Sequence, residues 1–493
     1  MKKFLTLFTA ILLAVSLSAE RKEVHILSAN DMHAYLSSMP MVADVADSLR
    51  TLYPGLLVFA AGDNRTGDPL NDMYEIPAYP MVALMNQIGF DATTLGNHEF
   101  DSSPRGLARL INLSNFSYLC ANVHPDDSLG MHLRPCQTFD VNGLRVGVVG
   151  AVQLGTHGTP DTHPDNCRGI SFEPYQEAIA RYEYLRSQCD VVILLTHIGY
   201  EEDVELSAQV PWVDLIIGGH THTQLKGGEM HNGILITQNE NKLKLVTHIT
   251  LVLERTKVGD GVDGPWRIVE KKAENIDVRD RQGRNKTVTD MVSMFSNNPA
   301  FFRALAWLEE PVTTYEELGC LMCDAFISET GADVAIENYG GVRYDEHDAG
   351  EFTVSDVLQL DPFGNDAVMM ELSGEELRNM LISCYDNDSH LFPFVGGILC
   401  EVEFDKKTPA QVKKLTLRTP DGKKLDMKKT YRVVTNHFVA SICDAPRRDQ
   451  GHSINRKTAD LIIDFLDRKK SVNYTGKKRI TIVNKQSSIN NKL

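Results

Sequence analysis

The stretch Ala92-Thr93-Thr94-Leu95-Gly96-Asn97-His98-Glu99-Phe100-Asp101 joins a short apolar and β-branched run directly to a row of polar side chains. The run 92–95 predicts a strand that is covered on both faces, and Gly96 predicts the turn that follows it. Similar runs recur through the first half of the chain, each followed by a polar or glycine-rich turn and a helical stretch: 24–27, 56–61, 146–149, 191–195 and 215–217. This alternation predicts a layered α/β fold.

Side chains that can bind metals follow five of these runs, at the point where each predicted strand ends: Asp31 and His33, Asp63, Asn97, His197, and His220 with His222. In an open α/β sheet, the loops at the carboxyl ends of the strands line one common crevice. Imidazole nitrogen and carboxylate oxygen are the ligands expected of divalent ions such as Zn, Mn, Fe or Mg. The set contains no cysteine, which argues against a closed structural zinc site. We therefore expect a metal centre at this edge of the fold.

The N-terminal segment has the pattern of a signal peptide. Lys2 and Lys3 precede an apolar run over 4–15, and small residues follow as far as Ala19. The run is shorter than the roughly 20 residues that a membrane span requires. We therefore expect cleavage near Ala19, no stable membrane insertion after cleavage, and a periplasmic or extracellular location.

The composition excludes several classes of protein. A hydrophobic content of 42% and a charged content of 24% indicate a soluble globular chain. The net charge of -16 disfavours binding of polymeric nucleic acid, although a metal site can still attract small phosphate esters.

The chain has nine cysteines, and because the number is odd, at least one of them must be unpaired within the chain. Cys120 and Cys136 could form a disulfide after export, and Cys320 and Cys323 form a C-x-x-C motif. The pattern is at least as consistent with buried free thiols for most of the cysteines. The oligomeric state stays open.

Changes in composition divide the chain into segments. After the signal peptide 1–19, a first domain spans 20–285 and a helical linker spans 286–310, although Pro299 must begin or break a helix there. A second, smaller domain spans 311–485, and a polar tail follows at 486–493. Within the second domain we predict helices over 317–330, 373–384 and 457–469 and strands over 398–404 and 431–435. Ser373 and Glu376 fit a capping box.

The strand-end fragments resemble the signature of the calcineurin-like metallophosphoesterases: Asp31-x-His33, Gly62-Asp63-(x)3-Gly67, Gly96-Asn97-His98-Glu99-Phe100-Asp101, Thr196-His197 and Gly219-His220-x-His222. With the leader and the second domain, the chain resembles the secreted 5'-nucleotidase/UDP-sugar hydrolase family over nearly its whole mature length. The resemblance implies a four-layer metallophosphoesterase α/β sandwich, followed by a smaller α/β or α+β domain that binds the substrate.

The same resemblance assigns roles to the polar residues. Two divalent ions, of Zn, Mn, Mg, Fe or Co, would be held by two sets of ligands that share Asp63 as a bridge. One set is Asp31, His33, Asp63 and His222, and the other is Asp63, Asn97, His197 and His220. His98 and Asp101 match the family's catalytic dyad, in which the histidine stabilises negative charge on the phosphoryl group or its leaving oxygen and the carboxylate orients it.

Two segments of the second domain are similar to substrate-binding segments of the family. In Asn338-Tyr339-Gly340-Gly341-Val342-Arg343, the resemblance implies that Asn338 and Arg343 contact the substrate. In Asp361-Pro362-Phe363-Gly364-Asn365, it implies that Phe363 stacks on a nucleobase beside Asn365. Family members usually add a second aromatic in a Gly-Gly-Asp-x-Phe segment after a Thr-Asn strand, and no such segment follows Thr435-Asn436 here. Arg447 and Arg448 could supply charge there, or form a solvated turn.

The sequence thus predicts a secreted dinuclear phosphoesterase. It would hydrolyse nucleoside 5'-monophosphates or related nucleotides to nucleoside and phosphate, with a water that the metals activate. The alternatives are a cyclic-nucleotide phosphodiesterase, or another hydrolase of small phosphoesters or of thiosulfate-type substrates with the same architecture. A non-catalytic binding protein is a further alternative, but such a protein would be expected to have lost ligands or the dyad.

Overall fold

The computed structural model of the chain describes residues 20–258, 262–386, 391–405, 408 and 411–483. The predicted signal peptide 1–19 and the predicted polar tail 486–493 lie outside these residues. Within the described ranges, every helix is too short or too polar to cross a lipid bilayer.

The first half of the chain is built on two six-stranded sheets. Its strands are β1 (Glu20–Ala29), β2 (Leu57–Ala60), β3 (Ala92–Thr94), β4 (Ser117–Leu119), β5 (Val123–Pro125), β6 (Cys136–Val141), β7 (Leu144–Val152), β8 (Ile170–Phe172), β9 (Val191–His197), β10 (Leu215–Ile217), β11 (Glu229–His231), β12 (Ile234–Thr237), β13 (Leu245–Arg255), β14 (Lys257–Val258), β15 (Val262–Asp263) and β16 (Arg267–Asp277). One sheet has the order β16-β13-β1-β2-β3-β4 and the other β11-β12-β10-β9-β7-β6. The central strands of each sheet run parallel.

Helices cover the outer face of each sheet. They are α1 (Met39–Leu52), α2 (Pro69–Asp72), α3 (Tyr79–Ile88), α4 (Pro104–Leu113), α5 (Tyr175–Ala180), α6 (Tyr200–Ser207) and α7 (Lys286–Phe295). Helices α1, α3 and α4 share an apolar core with the first sheet, and α5 and α6 share one with the second. A third core fills the space between the two sheets. The result is the four-layer α/β sandwich that the sequence predicts.

The apolar runs of the sequence become strands because both faces of each sheet are covered. In β1, Ile26 packs in the core between the sheets and Leu27 in the core beneath the helices. Neighbouring residues are therefore both buried, which explains an unbroken apolar run instead of alternation. Each of the six predicted runs contains strand residues, and only the runs 56–61 and 92–95 extend past the ends of their strands, by one residue at each of those ends.

The second half of the chain forms a smaller α/β unit around one apolar core. Its elements are β17 (Ala304–Leu308), α8 (Tyr315–Thr330), β18 (Val334–Asn338), β19 (Gly350–Thr353), α9 (Val354–Leu360), β20 (Asp366–Ser373), α10 (Gly374–Asp386), β21 (Pro393–Gly396), β22 (Leu399–Phe404), β23 (Val412–Arg418), β24 (Thr430–Asn436), α11 (His437–Ile442), β25 (His452–Lys457), α12 (Thr458–Lys469), β26 (Ser471–Val472) and β27 (Ile480–Ile482). The main sheet has the order β21-β18-β24-β20-β25. The predicted helices and strands are present, and the capping box of Ser373 and Glu376 is confirmed.

The predicted helical linker 286–310 is wrong in its second part. Helix α7 occupies its first residues and buries Val288 and Phe295 in the core of the first half. Pro299 begins a short 3-10 turn, and Ala304–Leu308 is the strand β17, which pairs with β19 and β26. The apolar spacing over 287–308 resembles a helix, but pairing with two distant strands overrides it, because tertiary contacts outweigh weak local propensity.

The nine cysteines all lie within the described ranges and carry free thiols. Eight of them are buried, and Cys136 is half-buried. The structure therefore favours the interpretation of these residues as buried apolar thiols over a bridge between Cys120 and Cys136 or within the C-x-x-C.

Candidate functional site

Metal-binding side chains from both sheets converge at the carboxyl ends of the parallel strands. The ligand atoms form three overlapping groups, each within 4.8 Å: Asp31, His33 and His222; Asp31, Asp63 and His197; His33, Asp63 and His98. His220 and Asn97 lie beside these groups, since the N–H of His220 donates to Oδ1 of Asp31 at 3.1 Å and Nδ1 of His220 lies 3.1 Å from Oδ1 of Asn97. The structure therefore brings all seven predicted ligands together.

Two buried carboxylates lie at the centre of this cluster. Oδ2 of Asp63 lies 3.1 Å from Nε2 of His197 and 4.0 Å from Nε2 of His33. Oδ1 of Asp31 lies 3.3 Å from Nε2 of His222 and 3.9 Å from Nε2 of His197. Oδ2 of Asp63 also lies 3.9 Å from Nε2 of His98, so Asp63 faces three imidazoles and Asp31 faces two, and His197 lies between the two carboxylates.

Backbone carbonyls orient two of these imidazoles. Nδ1 of His197 donates to the carbonyl of Ala61 at 2.7 Å, and Nδ1 of His33 donates to the carbonyl of Thr66 at 3.0 Å. Nε2 of each ring is thereby directed toward the carboxylates. Such contacts behind a histidine are typical of metal ligands, since they hold the ring in one orientation.

The loops that carry the ligands have an unusual backbone conformation. Five residues of the cluster have positive φ: Asp31 (48°), His33 (45°), Asp63 (51°), His220 (81°) and His222 (55°). This left-handed conformation is uncommon for residues with side chains and costs about 1–3 kcal/mol each. Backbone hydrogen bonds between the loops offset part of the cost, since the N–H of Asp31 donates to Gly62 at 3.1 Å and that of His33 to Asp63 at 2.9 Å.

Glu99 connects the loop after β2 to the loop after β3. Its carboxylate accepts hydrogen bonds from the N–H groups of Gly96 at 2.6 Å, Asp63 at 2.9 Å and Asn64 at 2.8 Å. Gly96 must lack a side chain, because a Cβ there would lie 2.1 Å from Oδ1 of Asp63. The stretch from Gly96 to Glu99 therefore positions Asp63 as well as supplying its own side chains.

The charges and donor atoms of the cluster fit a divalent metal. Burial opposes ionisation of Asp63, but His197 and His98 hold the pKa of Asp63 well below its ordinary value. Burial also opposes protonation of His197, but Asp63 and Asp31 raise the pKa of His197 to about 10. Nε2 of His197 lies 3.1 Å from Oδ2 of Asp63 but, within the described part of the chain, makes no contact with hydrogen-bond geometry. A cation between Asp63 and His197 would be coordinated by both groups directly.

His98 and Asp101 form a close pair at the edge of the cluster. His98 opens a 3-10 turn, and its Nδ1 lies 2.6 Å from Oδ2 of Asp101. Thr162 donates to the other carboxylate oxygen of Asp101 at 3.2 Å. Burial opposes protonation of His98, but Asp63 and Asp101 raise the pKa of His98 above its ordinary value. The ring is therefore oriented and biased toward positive charge beside the candidate metal ligands.

Side chains from the second half of the chain reach this edge. Nη2 of Arg343 lies 3.2 Å from Nε2 of His98. The ring of Phe363 stacks on that of His98, with centroids 5.8 Å apart, and the Arg343 guanidinium lies 5.5 Å from the centroid of the Phe363 ring. Asn338 and Asn365 line the same cavity. The predicted substrate-binding residues therefore lie beside the predicted dyad.

Sequence reasoning missed five residues that line this cavity. Asp161, Thr162, His163 and Asn166 come from the first half, and Phe438 comes from helix α11. The first four follow strand β7, which contains the predicted run 146–149. They could have been found by the strand-end argument that identified the metal ligands.

Arg447 and Arg448 form local contacts instead of supplying charge to this cavity. Arg447 donates to the carbonyls of Cys443 and Ala440, both at 2.7 Å. Arg448 donates to the hydroxyl of Thr430 at 2.7 Å. Of the two interpretations of this pair, the structure favours an ordinary turn.

Two regions of the chain match models of known protein families. Residues 24–224 match the family model for calcineurin-like phosphoesterases, and residues 302–445 match that for the C-terminal domain of 5'-nucleotidases. A 5'-nucleotidase of Vibrio parahaemolyticus is 27% identical, and the match covers 87% of this chain and 84% of that protein. The trifunctional nucleotide phosphoesterase protein YfkN of Bacillus subtilis is 26% identical over 85% of this chain, which spans about a third (32%) of its length.

Solved structures show the same fold. The 5'-nucleotidase precursor of Thermus thermophilus superposes with a TM-score of 0.80 at 24% identity. The match covers 94% of this chain and the whole of that one. The present chain therefore shares both halves of its fold with the Thermus thermophilus structure.

Proposed function

Because the chain belongs to the calcineurin-like phosphoesterases that carry a 5'-nucleotidase C-terminal domain, and is therefore a hydrolase, we propose that it hydrolyses nucleoside 5'-monophosphates or related nucleotides to nucleoside and phosphate. One observation carries this proposal. Arg343 and Phe363 of the second half lie against His98, which itself borders the carboxylate–imidazole cluster of the first half. A phosphate site and an aromatic face are thus adjacent, as a nucleotide requires.

The proposed cofactor is a pair of divalent cations. Asp31, His33, Asp63 and His222 would hold one cation, while Asp63, Asn97, His197 and His220 would hold the other. The 4.8 Å groups and the unpartnered Nε2 of His197 support this assignment. The donor set accepts Zn, Mn, Mg, Fe or Co. Bound there, such ions would activate a shared water and clamp the attacking and leaving oxygens.

The protein's own residues then act on the phosphoryl group. His98 stabilises negative charge on the transferring group or its leaving oxygen, because the ring lies beside the cluster and its pKa is raised. Asp101 orients the ring through the 2.6 Å contact with Nδ1. Arg343 pairs with the phosphate as a planar, permanently charged donor. Asn338 adds a polar contact, and the ring of Phe363 offers a face for a planar group.

The proposed setting is outside the cytoplasm. Residues 1–19 have the composition of a signal peptide, so the substrate would be a small nucleotide outside the cell membrane. The net charge of -16 disfavours polymeric nucleic acid. Fractionation of cells that express the full chain tests this placement, and protein that stays in the cytoplasm at full length would contradict it.

Phosphate release from a substrate panel tests the proposed activity. Metal-depleted protein reloaded with manganese is expected to release phosphate from AMP and far less from glucose 6-phosphate. Asp63→Asn should lose both bound metal and turnover. Asp91→Asn is the matched control, since Asp91 is a half-buried carboxylate of the first half that accepts from the N–H of Val58 at 2.7 Å. Hydrolysis of cyclic AMP without hydrolysis of AMP would contradict the proposal and identify a phosphodiesterase.

A further inference from the structure

A buried glutamate lies directly behind one of the proposed substrate-binding residues. Glu337 precedes Asn338 at the end of β18, and only 1% of its surface is exposed. Strand β18 pairs with β21 on one side and with β24 on the other, so the residue lies within the main sheet of the second half. Burying a polar group costs free energy unless hydrogen bonds satisfy it. The partners of this carboxyl group therefore indicate its role.

Hydrogen bonds join this carboxyl group to two asparagines. Oε1 of Glu337 accepts from the N–H of Asn338 at 2.9 Å and from Nδ2 of Asn436 at 2.5 Å. Nδ2 of Asn436 also donates to Oδ1 of Asn338 at 2.8 Å. Oδ1 of Asn436 accepts from the N–H of Val439 at 2.8 Å, at the start of α11. Both ends of the Asn436 amide are thus fixed, and Asn436 connects Glu337 to the side chain of Asn338.

The same carboxyl group supports the turn that leads to Arg343. A Cβ at Gly341, in the 3-10 turn after Asn338, would lie 2.2 Å from Oε1 of Glu337. The backbone of this turn therefore packs directly against the carboxyl oxygen. Arg343 follows two residues later, and its Nη2 lies 3.2 Å from Nε2 of His98. One buried carboxyl group thus lies against the segment that carries both proposed substrate-binding residues.

The charge state of Glu337 suits this position. Burial and the nearby carboxyl group of Asp361 raise the pKa of Glu337 well above its ordinary value, although the hydrogen bonds from Asn338 and Asn436 oppose this shift. The neutral acid is therefore favoured, and it still accepts hydrogen bonds through Oε1. A carboxylate behind Asn338 would repel a phosphate group. A neutral acceptor at this place avoids that repulsion.

We propose that Glu337 is a positioning residue for substrate binding, which holds Asn338 and the turn before Arg343 in place through its accepting oxygen. This inference rests on the proposed function, because that function places Asn338 and Arg343 on the substrate. The side chain acts through these two residues. Its loss should therefore weaken substrate binding more than it slows the chemical step, since the ligand cluster belongs to the other half of the chain.

The test compares two replacements of Glu337 in the manganese-loaded protein, with AMP as the substrate. Glu337→Gln keeps an accepting oxygen and a neutral side chain, so its KM and kcat should match those of the wild type. Glu337→Leu removes the acceptor and should raise KM about tenfold, with kcat changed less than about threefold. Ile336→Ala is the matched control, since Ile336 is the preceding residue of β18 and lies in the apolar core. It should lose stability but keep the wild-type KM.

A variant of Asn436 tests the same network while Glu337 stays in place. Asn436→Ser keeps an oxygen that can cap α11 but loses both donors, so it should raise KM about threefold. A wild-type KM in either Glu337→Leu or Asn436→Ser would overturn the inference, as would a raised KM in Glu337→Gln, and each of these results would leave the proposed function standing. Wild-type protein that releases no phosphate from AMP would instead contradict both.

Discussion

Single side chains at the candidate site depend on neighbours that carry no chemistry of their own. Glu99 accepts three backbone hydrogen bonds and holds the loop of Asp63, and Asn30 donates to Oδ2 of Asp31 at 2.7 Å. These contacts place carboxylates against one another although like charges repel. The geometry of the candidate ligands therefore depends on the backbone of the surrounding loops as well as on the ligand side chains.

Asp101→Asn is expected to lower kcat about 10²- to 10³-fold, because the side chain loses the charge that raises the pKa of His98 while keeping its shape. Metal content should match that of the wild type, since Asp101 lies outside the proposed ligand set. Phosphate release and metal analysis measure the two effects. Asp127→Asn, at an exposed carboxylate of the same half, is the control, and metal loss in Asp101→Asn would argue for a ligand role instead.

Asp361 makes stability depend on pH. Burial raises the pKa of Asp361 to about 6 from an ordinary value of 3.8, although Thr458 and the N–H of Phe363 bond to its carboxylate. Between these two pKa values the folded protein holds a proton that the unfolded chain releases, so stability falls as pH rises to about 6. Asp361→Asn removes this dependence.

Relative to wild type, Asp361→Asn should therefore be more stable at about pH 7.5 than at about pH 4.5, by about 2 kcal/mol. Urea unfolding at the two pH values measures the difference. Asp348→Asn, at an exposed carboxylate of the second half, is the control for the effect of removing one carboxylate on stability at the two pH values. An equal effect of Asp361→Asn at both pH values would contradict the assignment.

At the scale of elements, helix ends are set by local sequence, whereas the linker is set by its distant partners. Ser373 accepts from the N–H of Glu376 at 3.2 Å, and the Glu376 carboxylate accepts from the N–H of Ser373 at 2.7 Å. Both groups lie within four residues, so a short pattern suffices to locate the start of α10. Strand β17 pairs with residues 350–353 and 471–472, and no short pattern contains these partners.

Ser373→Ala should lower the free energy of unfolding by about 1 kcal/mol, because the cap of α10 is lost. Urea denaturation followed by circular dichroism measures this. Ser293→Ala is the control and should cost little or no stability, because Ser293 is exposed within α7 and alanine favours a helix interior. If Ser293→Ala cost as much as Ser373→Ala, the cap would not be the cause.

At the scale of the whole molecule, the apolar cores are separate although the site is shared. One core contains residues between Leu305 and Ile480, and the others lie between Val24 and Phe295. All seven proposed ligands belong to the first half, while Arg343 and Phe363 belong to the second. The proposed metal ligands and these two proposed substrate-binding residues are thus supported by different cores.

Calorimetry should therefore resolve two unfolding transitions, of which manganese shifts only the one from the first half. At about a hundred times the dissociation constant, a bound ion stabilises its domain by about 2.7 kcal/mol. Leu321→Ala, in the core of the second half, should lower the other transition and so assign it. A single transition that manganese shifts as a whole would contradict this prediction and show that the halves unfold as one unit.

The sequence by itself determined the layered first half, the strand ends and the residues that form the candidate metal site. These features depend on short-range patterns: a strand buried on both faces must be continuously apolar, and in parallel sheets the polar residues at the strand ends must meet. Asp31, Asp63 and His197 could therefore be placed in one cluster, although 134 positions separate Asp63 from His197.

Only the tertiary structure decided which residues of the two halves face one another. The contacts of His98 with Phe363 and of His163 with His437 join positions 265 and 274 residues apart, and they depend on how two separately folded units pack. The sequence around Phe438 does not indicate whether its ring packs in a core or lines a cavity. The apolar spacing of β17 likewise suits a helix as well as a strand. Packing between distant surfaces, which no local periodicity encodes, makes these choices.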